Sequence, residues 1–477
     1  MSILSDIIAP IGNSTLSSVL DGSSVQSANP NLDLTYPTDF NLDELSLEGS
    51  TLTSNIGEKL DLIPYLIELN YYEDIFDNSV SAKLVISDAV GVFKMGGLNG
   101  TEKINMKFHA GVGGNVIEHQ LHVFSVSDRH QDNSMNFENY TLNLCSKELM
   151  TAEKYRVSKS YKQEQISSIV QNVLRNFLKT KKSVSIEQTL GSYDFVLPNK
   201  KIYETINWLA LYAQPSQGKI GADMLLYENY AGLHFKSLQT LYKQNSIYTY
   251  YYNPKNVNND LNSESENIYR LEIMNNFDTL GATSKGTLSN RLISLDPMLR
   301  QRYIKDFNYN DYYKQAQKLN ELDVTDINSN KSNEYTDLVG KKIYEPPPNE
   351  LQSSALRLMM SNSNLKKSSQ INGTPNSVQN DYLIEKTIPN RIAQLFLSQY
   401  NRLKILVPGN SSIKIGDVIT IKIYETVPLI NDTKTKQEDI YLNGKYLITA
   451  IRHIVNVTRY TTVIEVAKES ISNDRQG

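Results

Sequence analysis

Two stretches of strict two-residue alternation, one near each end of the chain, limit what this sequence can fold into more than any other feature. In the first, Val80, Ala82, Leu84 and Ile86 alternate with Ser81, Lys83 and Val85. Ile104, Met106 and Phe108 repeat the pattern. Leu121 and Val123 follow the turn Gly111-Val112-Gly113-Gly114-Asn115, and Tyr140, Leu142 and Leu144 add a further run. Successive side chains of a strand point to opposite faces, so each run predicts a strand with one buried face. Short strands separated by Gly/Asn turns favour an antiparallel barrel or sandwich. The second stretch keeps the same rhythm. Leu403, Ile405 and Val407 lead to the turn Pro408-Gly409-Asn410, and Ile419, Ile421 and Ile423 follow. Beyond the polar loop NDTKTKQED come Tyr446, Ile448 and Ala450, then Thr462, Ile464 and Val466.

Between these stretches the period changes. Ile166, Ile169, Val170, Val173, Leu174 and Phe177 fall on one face of a helix. Ile202, Ile206, Leu209, Ala210 and Ala213 predict a second helix, which carries the single tryptophan, Trp208, and is ended by Pro215 and Gly218. Strands return in MLLYENYAGLHF. The organisation read from these patterns is a polar N-terminal arm over 1–38, a first β domain over 39–155 and an α+β domain over 156–245. A loop-rich middle region over 246–385 and a second β domain over 386–477 complete it. Within the middle region, YRLEIM and SNRLISL read as ordered pieces and DYYKQAQKLNEL as a short helix, and Pro346-Pro347-Pro348 reads as a stiff spacer. The fold class expected is a mixed β and α+β multidomain chain.

Composition narrows the function by exclusion. The formal net charge of −4 over 477 residues lacks the basic excess of a chain that coats nucleic acid. No apolar run approaches the roughly 18 residues of a membrane span, so no membrane insertion is expected. The N-terminus shows no basic patch followed by an apolar stretch, and no secretory signal is expected. A single cysteine, Cys145, excludes intrachain disulfides and zinc sites built from several thiolates.

Catalytic motifs are missing as well. There is no G-x-S-x-G elbow and no phosphate-cradling P-loop, and the glycines at 111–114 read as a hairpin turn. The histidines are His109, His119, His122, His130, His234 and His453. His119 and His122 lie three apart on a strand, hence on opposite faces, and read with His130 as exposed strand or turn residues instead of ligands. Glu73-Asp74 reads as a pair of solvated turn or edge charges. Cys145 reads as a buried or edge structural thiol, and Trp208 as core. No catalytic, metal or cofactor-binding residue is assigned, and no cofactor is expected.

Four phrases, in order, carry a resemblance. In YYEDIFDNSVSAKLVISDAVGVFKMGGLNGTEKINMKF the marks are Tyr72, Glu73, Asp74, Ile75, Phe76, Ser87, Asp88, Gly100 and Glu102. NWLALYAQ with LLYENYAGLHFKSL contributes Trp208, Tyr227, Gly232 and Phe235, and FDTLGATSKGTLSNRLISLD contributes Phe277, Asp278, Gly286 and Asp296. The closing phrases contribute Pro408, Gly409, Gly416, Asp417, Gly444, Tyr446, Ile448, His453, Tyr460 and Thr461. Together they resemble the central baseplate hub of contractile-tailed, T-even-like bacteriophages, a family that shares its core with type VI secretion spike proteins.

That resemblance implies two related antiparallel tube barrels per chain and a homotrimer, so that six barrels make a pseudo-sixfold ring. It implies a central spike protein on one side, and a tail tube or tube-initiator protein on the other. Baseplate wedge proteins and a tape measure are further partners it suggests. DNA is expected to pass through a central channel without sequence-specific binding. The implied location is the virion's tail baseplate, assembled in the host cytoplasm, and the implied role is structural, not enzymatic. His453 becomes a fixed structural residue of the closing barrel. Two other readings stand beside this one: a carbohydrate- or receptor-binding tail module hosted by the middle region, and a tail-associated cell-wall hydrolase. The hydrolase would need a carboxylate of raised pKa in an apolar cleft.

Overall fold

The computed structural model describes residues 39–49, 59–89, 98–110, 114–131, 137–216, 223–252, 265–275 and 278–323 with short gaps, 355–360, 383–424 and 441–471, with a few isolated positions between them. Thirteen strands form one sheet. In chain order these are β1 (Phe40–Glu48), β2 (Leu60–Asp61), β3 (Leu66–Asp74), β4 (Ser81–Asp88), β5 (Lys103–Ala110), β6 (Ile117–Gln131) and β7 (Glu138–Ser146). They continue as β8 (Tyr248–Tyr252), β9 (Arg270–Asn275), β10 (Asn401–Pro408), β11 (Val418–Ile423), β12 (Gly444–Asn456) and β13 (Tyr460–Lys468). The sheet runs β9-β10-β13-β12-β3-β4-β7-β6-β5-β1-β2, with β11 branching from β12 and β8 from β11. Every pairing is antiparallel except β8 with β11. Among the described residues the order ends at β9 and β2 and does not close on itself.

The alternation read from the sequence is present residue by residue. Ala82, Leu84 and Ile86 of β4 and Ile104, Met106 and Phe108 of β5 all point inward. With Leu121, Val123, Tyr140, Leu142 and Leu144 they build the core of the first β region. Leu403, Ile405, Ile419, Ile421, Ile448, Ile464 and Val466 build a second core. A fully buried aliphatic side chain contributes about 1.5–3 kcal/mol, so each core can hold its own region together.

Six helices occur among the described residues. α1 (Lys147–Lys154) starts at Ser146, whose hydroxyl accepts from the Leu149 N–H. α2 (Ile166–Asn172) passes into a π-helical turn over Val173–Phe177, and α3 (Ile202–Ala210) carries the half-buried Trp208. These three pack with Tyr193, Phe195, Met224 and Phe235 around a third core. α4 (Leu238–Tyr242) and α5 (Thr279–Ser284) are short. α6 (Leu383–Leu397) brings Arg391 to the carbonyl of Met224 at 2.9 Å and Gln394 to Asp223 at 2.8 Å.

YRLEIM becomes β9, and SNRLISL becomes the strand Ser289–Asp296, paired with Gln301–Asn308 and Ala355–Met360. The helix expected over 311–322 is not formed where the chain is described. Residues 312–315 lie outside the described set, and 316–321 are bends and extended chain held by bonds from Leu319 and Asn320 to Glu469 and Ser470. Leu322–Asp323 is a short strand paired with Ser470–Ile471. The N-terminal arm, the glycines at 111–113, Pro346–Pro348 and most of the loop at 431–439 also lie outside it.

Candidate functional site: the join between the two β regions

The two β regions meet along β3 and β12, which pair over seven residues from Ala450↔Asp74 to Asn456↔Glu68. β12 is long enough to serve two neighbours on one edge. Gly444 to Leu447 pair with β11 and Ala450 to Asn456 with β3, and on the opposite edge the ladder with β13 shifts register between Ile448 and Ala450. At that irregularity the Thr449 carbonyl accepts from the Ile75 N–H at 2.8 Å. A bulge re-aims a strand locally, and here it marks the point where β12 changes partner.

Glu73 sits at this join and corrects the expectation of a solvated pair. It is 1% exposed, and Asp74 is also buried. Its Oε1 accepts from the Tyr71 hydroxyl at 3.0 Å and the Tyr230 N–H at 2.7 Å, and its Oε2 from the Ile415 N–H at 3.4 Å. One carboxylate thus ties β3 to the 230 turn and to the loop before β11. Burial pushes its pKa up to about 7 against the pull of those donors. Asp74 faces the other way and accepts from the Phe76 N–H at 2.8 Å, and burial raises it to about 6.

Beside Glu73 lies a stack of rings. His453 is the ladder partner of Tyr71, and its Nδ1 lies 2.7 Å from the Tyr460 hydroxyl. Its Nε2 has no partner among the described residues. His119, expected to be exposed, is instead buried and stacks on Tyr71 with centroids 5.4 Å apart. Burial lowers both histidines to about 3, so both are neutral at ordinary pH. His122 does lie on the opposite face, half-exposed. Cys145 is buried, and burial raises its thiol to about 11.

A second polar knot fastens the α+β region to the first β region. Lys182 bridges Glu148 (2.9 Å) and Glu228, and Thr180 donates to Glu148 at 2.9 Å. Glu228 also accepts from the Val80 N–H at 3.3 Å, while Asn78 donates to the Leu226 carbonyl at 2.8 Å. Sequence reasoning missed this knot, whose members are far apart in the chain and follow no local spacing.

The remaining motif residues shape turns and close approaches. Glu102, fully buried, accepts from the N–H groups of Asn99 and Gly100 at 3.0 and 2.8 Å. A Cβ at Gly409 would lie 2.1 Å from the Tyr460 ring, so only glycine lets the chain pass there. Tyr446 donates to the Leu442 carbonyl at 2.5 Å. Among the described residues no three His, Cys, Asp or Glu side chains gather as a metal site would require. Among the described residues burial raises Glu73 to about 7 and Asp74 and Asp223 to about 6, and Glu73 has both oxygens occupied and is sealed from solvent. Such an arrangement holds segments together.

No family profile matches the sequence, and no curated protein matches it either. Solved structures do match. A tail protein from Neisseria meningitidis MC58 superposes with a TM-score of 0.50 at 8% identity, covering 89% of this chain and 96% of that one. The fold is that of a tail protein. The 43 kDa tail protein of prophage MuSo2 from Shewanella oneidensis aligns at a TM-score of 0.48 and 9% identity over 90% of this chain and the whole of that one. An E. coli type VI secretion component, described as similar to T4 tail proteins gp27 and gp5, aligns at 0.39 and 8% over 85% and 74%. With identities this low, the tail-protein likeness concerns the fold alone.

Proposed function

We propose that this chain is the structural hub of a phage-type tail baseplate, a homotrimer that joins the tail tube to a central spike and leaves a channel for DNA. The observation that carries the reading is the join itself. Two β regions with separate cores are fused edge to edge in one sheet, locked by Glu73, inside a tail-protein fold. In the trimer each region acts as one tube barrel, so three copies present six barrels to a sixfold tube and three-fold symmetry to the spike. Sheet ends left open at β9 and β2 among the described residues would be covered by neighbouring copies, which removes exposed strand edges. The role is mechanical, with no catalytic step.

Light scattering of the purified chain, with and without its candidate spike protein, tests the proposal. A trimer, or a three-to-three complex seen as a three-fold ring by electron microscopy, is the expected result. A monomer that ignores the spike would sink it.

A further inference from the structure

Charge is unevenly spread along this chain. Residues 147–201 hold eleven Lys and Arg against five Asp and Glu, a net +6 in a chain whose total is −4. Residues 1–38 hold Asp6, Asp21 and Asp33 and no Lys, Arg or His at all.

The structure gathers much of the positive charge on one surface of the α+β region. Arg156–Val157 pairs with Lys200–Lys201, placing Arg156 directly opposite Lys201. Ser160–Glu164 pairs with Tyr193–Val196, with Phe195 opposite Tyr161 and Val196 opposite Ser160. Paired residues share a face. Tyr161 and Phe195 point into the core, so Ser160 and Val196 point outward, and Val196 is 74% exposed. Lys154, Tyr155, Arg156, Lys159 and Lys162 are exposed around them. Of the acids in this stretch, Glu148 is engaged with Lys182, Glu153 with Lys201, and Glu187 with Ser237 and Thr240. Asp194, outward beside Val196, accepts from the Gln163 N–H and Glu164 is half-buried, so the exposed cations outnumber the acids on these strands. What remains is a positive surface with an apolar side chain and a tyrosine standing in it. A nucleic acid would satisfy the charge but leave Val196 uncovered, whereas an acidic polypeptide with aliphatic side chains satisfies both.

We propose that this face docks the chain's own acidic leading segment, residues 1–38, from the same or a neighbouring copy. The segment sets Asp6 among Ile3, Leu4, Ile7, Ile8 and Ile11, which is the mixture the face calls for. Reach is no obstacle, since 38 residues can span up to about 125 Å when extended. Exposed ion pairs are individually weak, but a tethered ligand acts at an effective concentration of about millimolar, so a few pairs suffice.

Zero-length carbodiimide crosslinking of the full chain at low salt, mapped by mass spectrometry, tests this. Asp6, Asp21 and Asp33 should couple to Lys154, Lys159, Lys162, Lys200 or Lys201 at least about tenfold more than to the exposed Lys243 and Lys285, as tethered docking requires. The yield should collapse in about 1 M salt, where the screening length shrinks to about 3 Å. It should also collapse at Lys162, Lys200 and Lys201, whose amines remain, in the Lys154→Glu/Arg156→Glu/Lys159→Glu variant, whose melting temperature stays that of the parent. Couplings spread evenly over exposed lysines, or no couplings, would overturn the proposal. So would their loss on adding a short DNA duplex at micromolar concentration, which would assign the face to nucleic acid.

Discussion

The two β regions use the same strand rhythm but differ in what they do with the second face of the sheet. In β4 and β5 the alternation is clean, one side chain inside and the next half-exposed. The outer face of the first region carries a polar ladder: Gln120 donates to Asn105, Asn105 to Glu48, and Asn143 to Ser125 and Ser127. In β12 and β13 nearly every residue is buried, whichever way it points. There Glu465 on the outer face meets Arg402 at 2.7 Å. The middle of the chain closes over the end of that face, with Leu319 donating to Glu469 and Asn320 to Ser470, both at 2.7 Å. The first region therefore offers a polar surface to its surroundings, and the second spends its outer face on the chain itself.

Inward substitutions should treat the regions alike. Leu84→Ala and Ile464→Ala each remove a fully buried side chain and should each destabilise by about 2–5 kcal/mol, measured by chemical denaturation. Outward substitutions should separate them. Glu465→Ala leaves Arg402 without its carboxylate in a covered setting and should cost about 2 kcal/mol, whereas Lys83→Ala on β4 should stay within about 0.5 kcal/mol. Equal effects at Glu465 and Lys83 would erase the contrast between the two outer faces.

The join between the regions carries a pH signature of mixed sign. Glu73 has a folded pKa of about 7 against an ordinary value of 4.5, so between those values it binds a proton only when folded. Its stabilising contribution is whole below 4.5 and is lost as pH rises through 7. His453 is the reverse: folded near 3 and unfolded near 6.5, its contribution is whole above 6.5 and is lost as pH falls toward 3. Replacing Glu73 with Gln should make stability rise more steeply between pH 5 and 6.5, by up to about 1.4 kcal/mol per unit. His453→Asn should flatten the same slope by a similar amount. Parallel slopes in both variants and the parent would show that neither group titrates across folding.

How much of this was legible beforehand depended on range. Strands and the helix at 166–177 follow from local period, and the structure has them where the period put them. His119 was readable too: it shares parity with Ile117, Leu121 and Val123, so the alternation itself places it inside, and its polar character was misleading. Glu73 was not readable, because its backbone donors at Tyr230 and Ile415 lie 157 and 342 residues away. The same holds for Lys182 with Glu148 and Glu228. The clean alternation of the first region also survives in its structure, while no strand pattern announces that residues 319–323 bind the end of the second region at Lys445 and Glu469–Ile471.

Lys468 gives the smallest and sharpest test, because it shows the second region burying even a cation. Its side chain is fully buried, donating to the carbonyls of Tyr441 at 2.6 Å and Asn443 at 2.8 Å and lying 4.6 Å from the Tyr446 ring centroid. Burial lowers its pKa to about 7, with Asp439 and Glu469 opposing. A depressed lysine binds fewer protons folded than unfolded between its two pKa values, so the penalty it imposes is complete below 7 and fades as pH rises toward 10.5. Lys468→Met keeps the volume and removes the titration, at a net change of about 1 kcal/mol or less near neutral pH. Between pH 7 and 9.5, below the range where unfolded tyrosines titrate, the parent should gain stability relative to the Met variant. If the two curves stay parallel, Lys468 keeps its charge when folded, and the second region tolerates a buried cation held by two carbonyls and a ring alone.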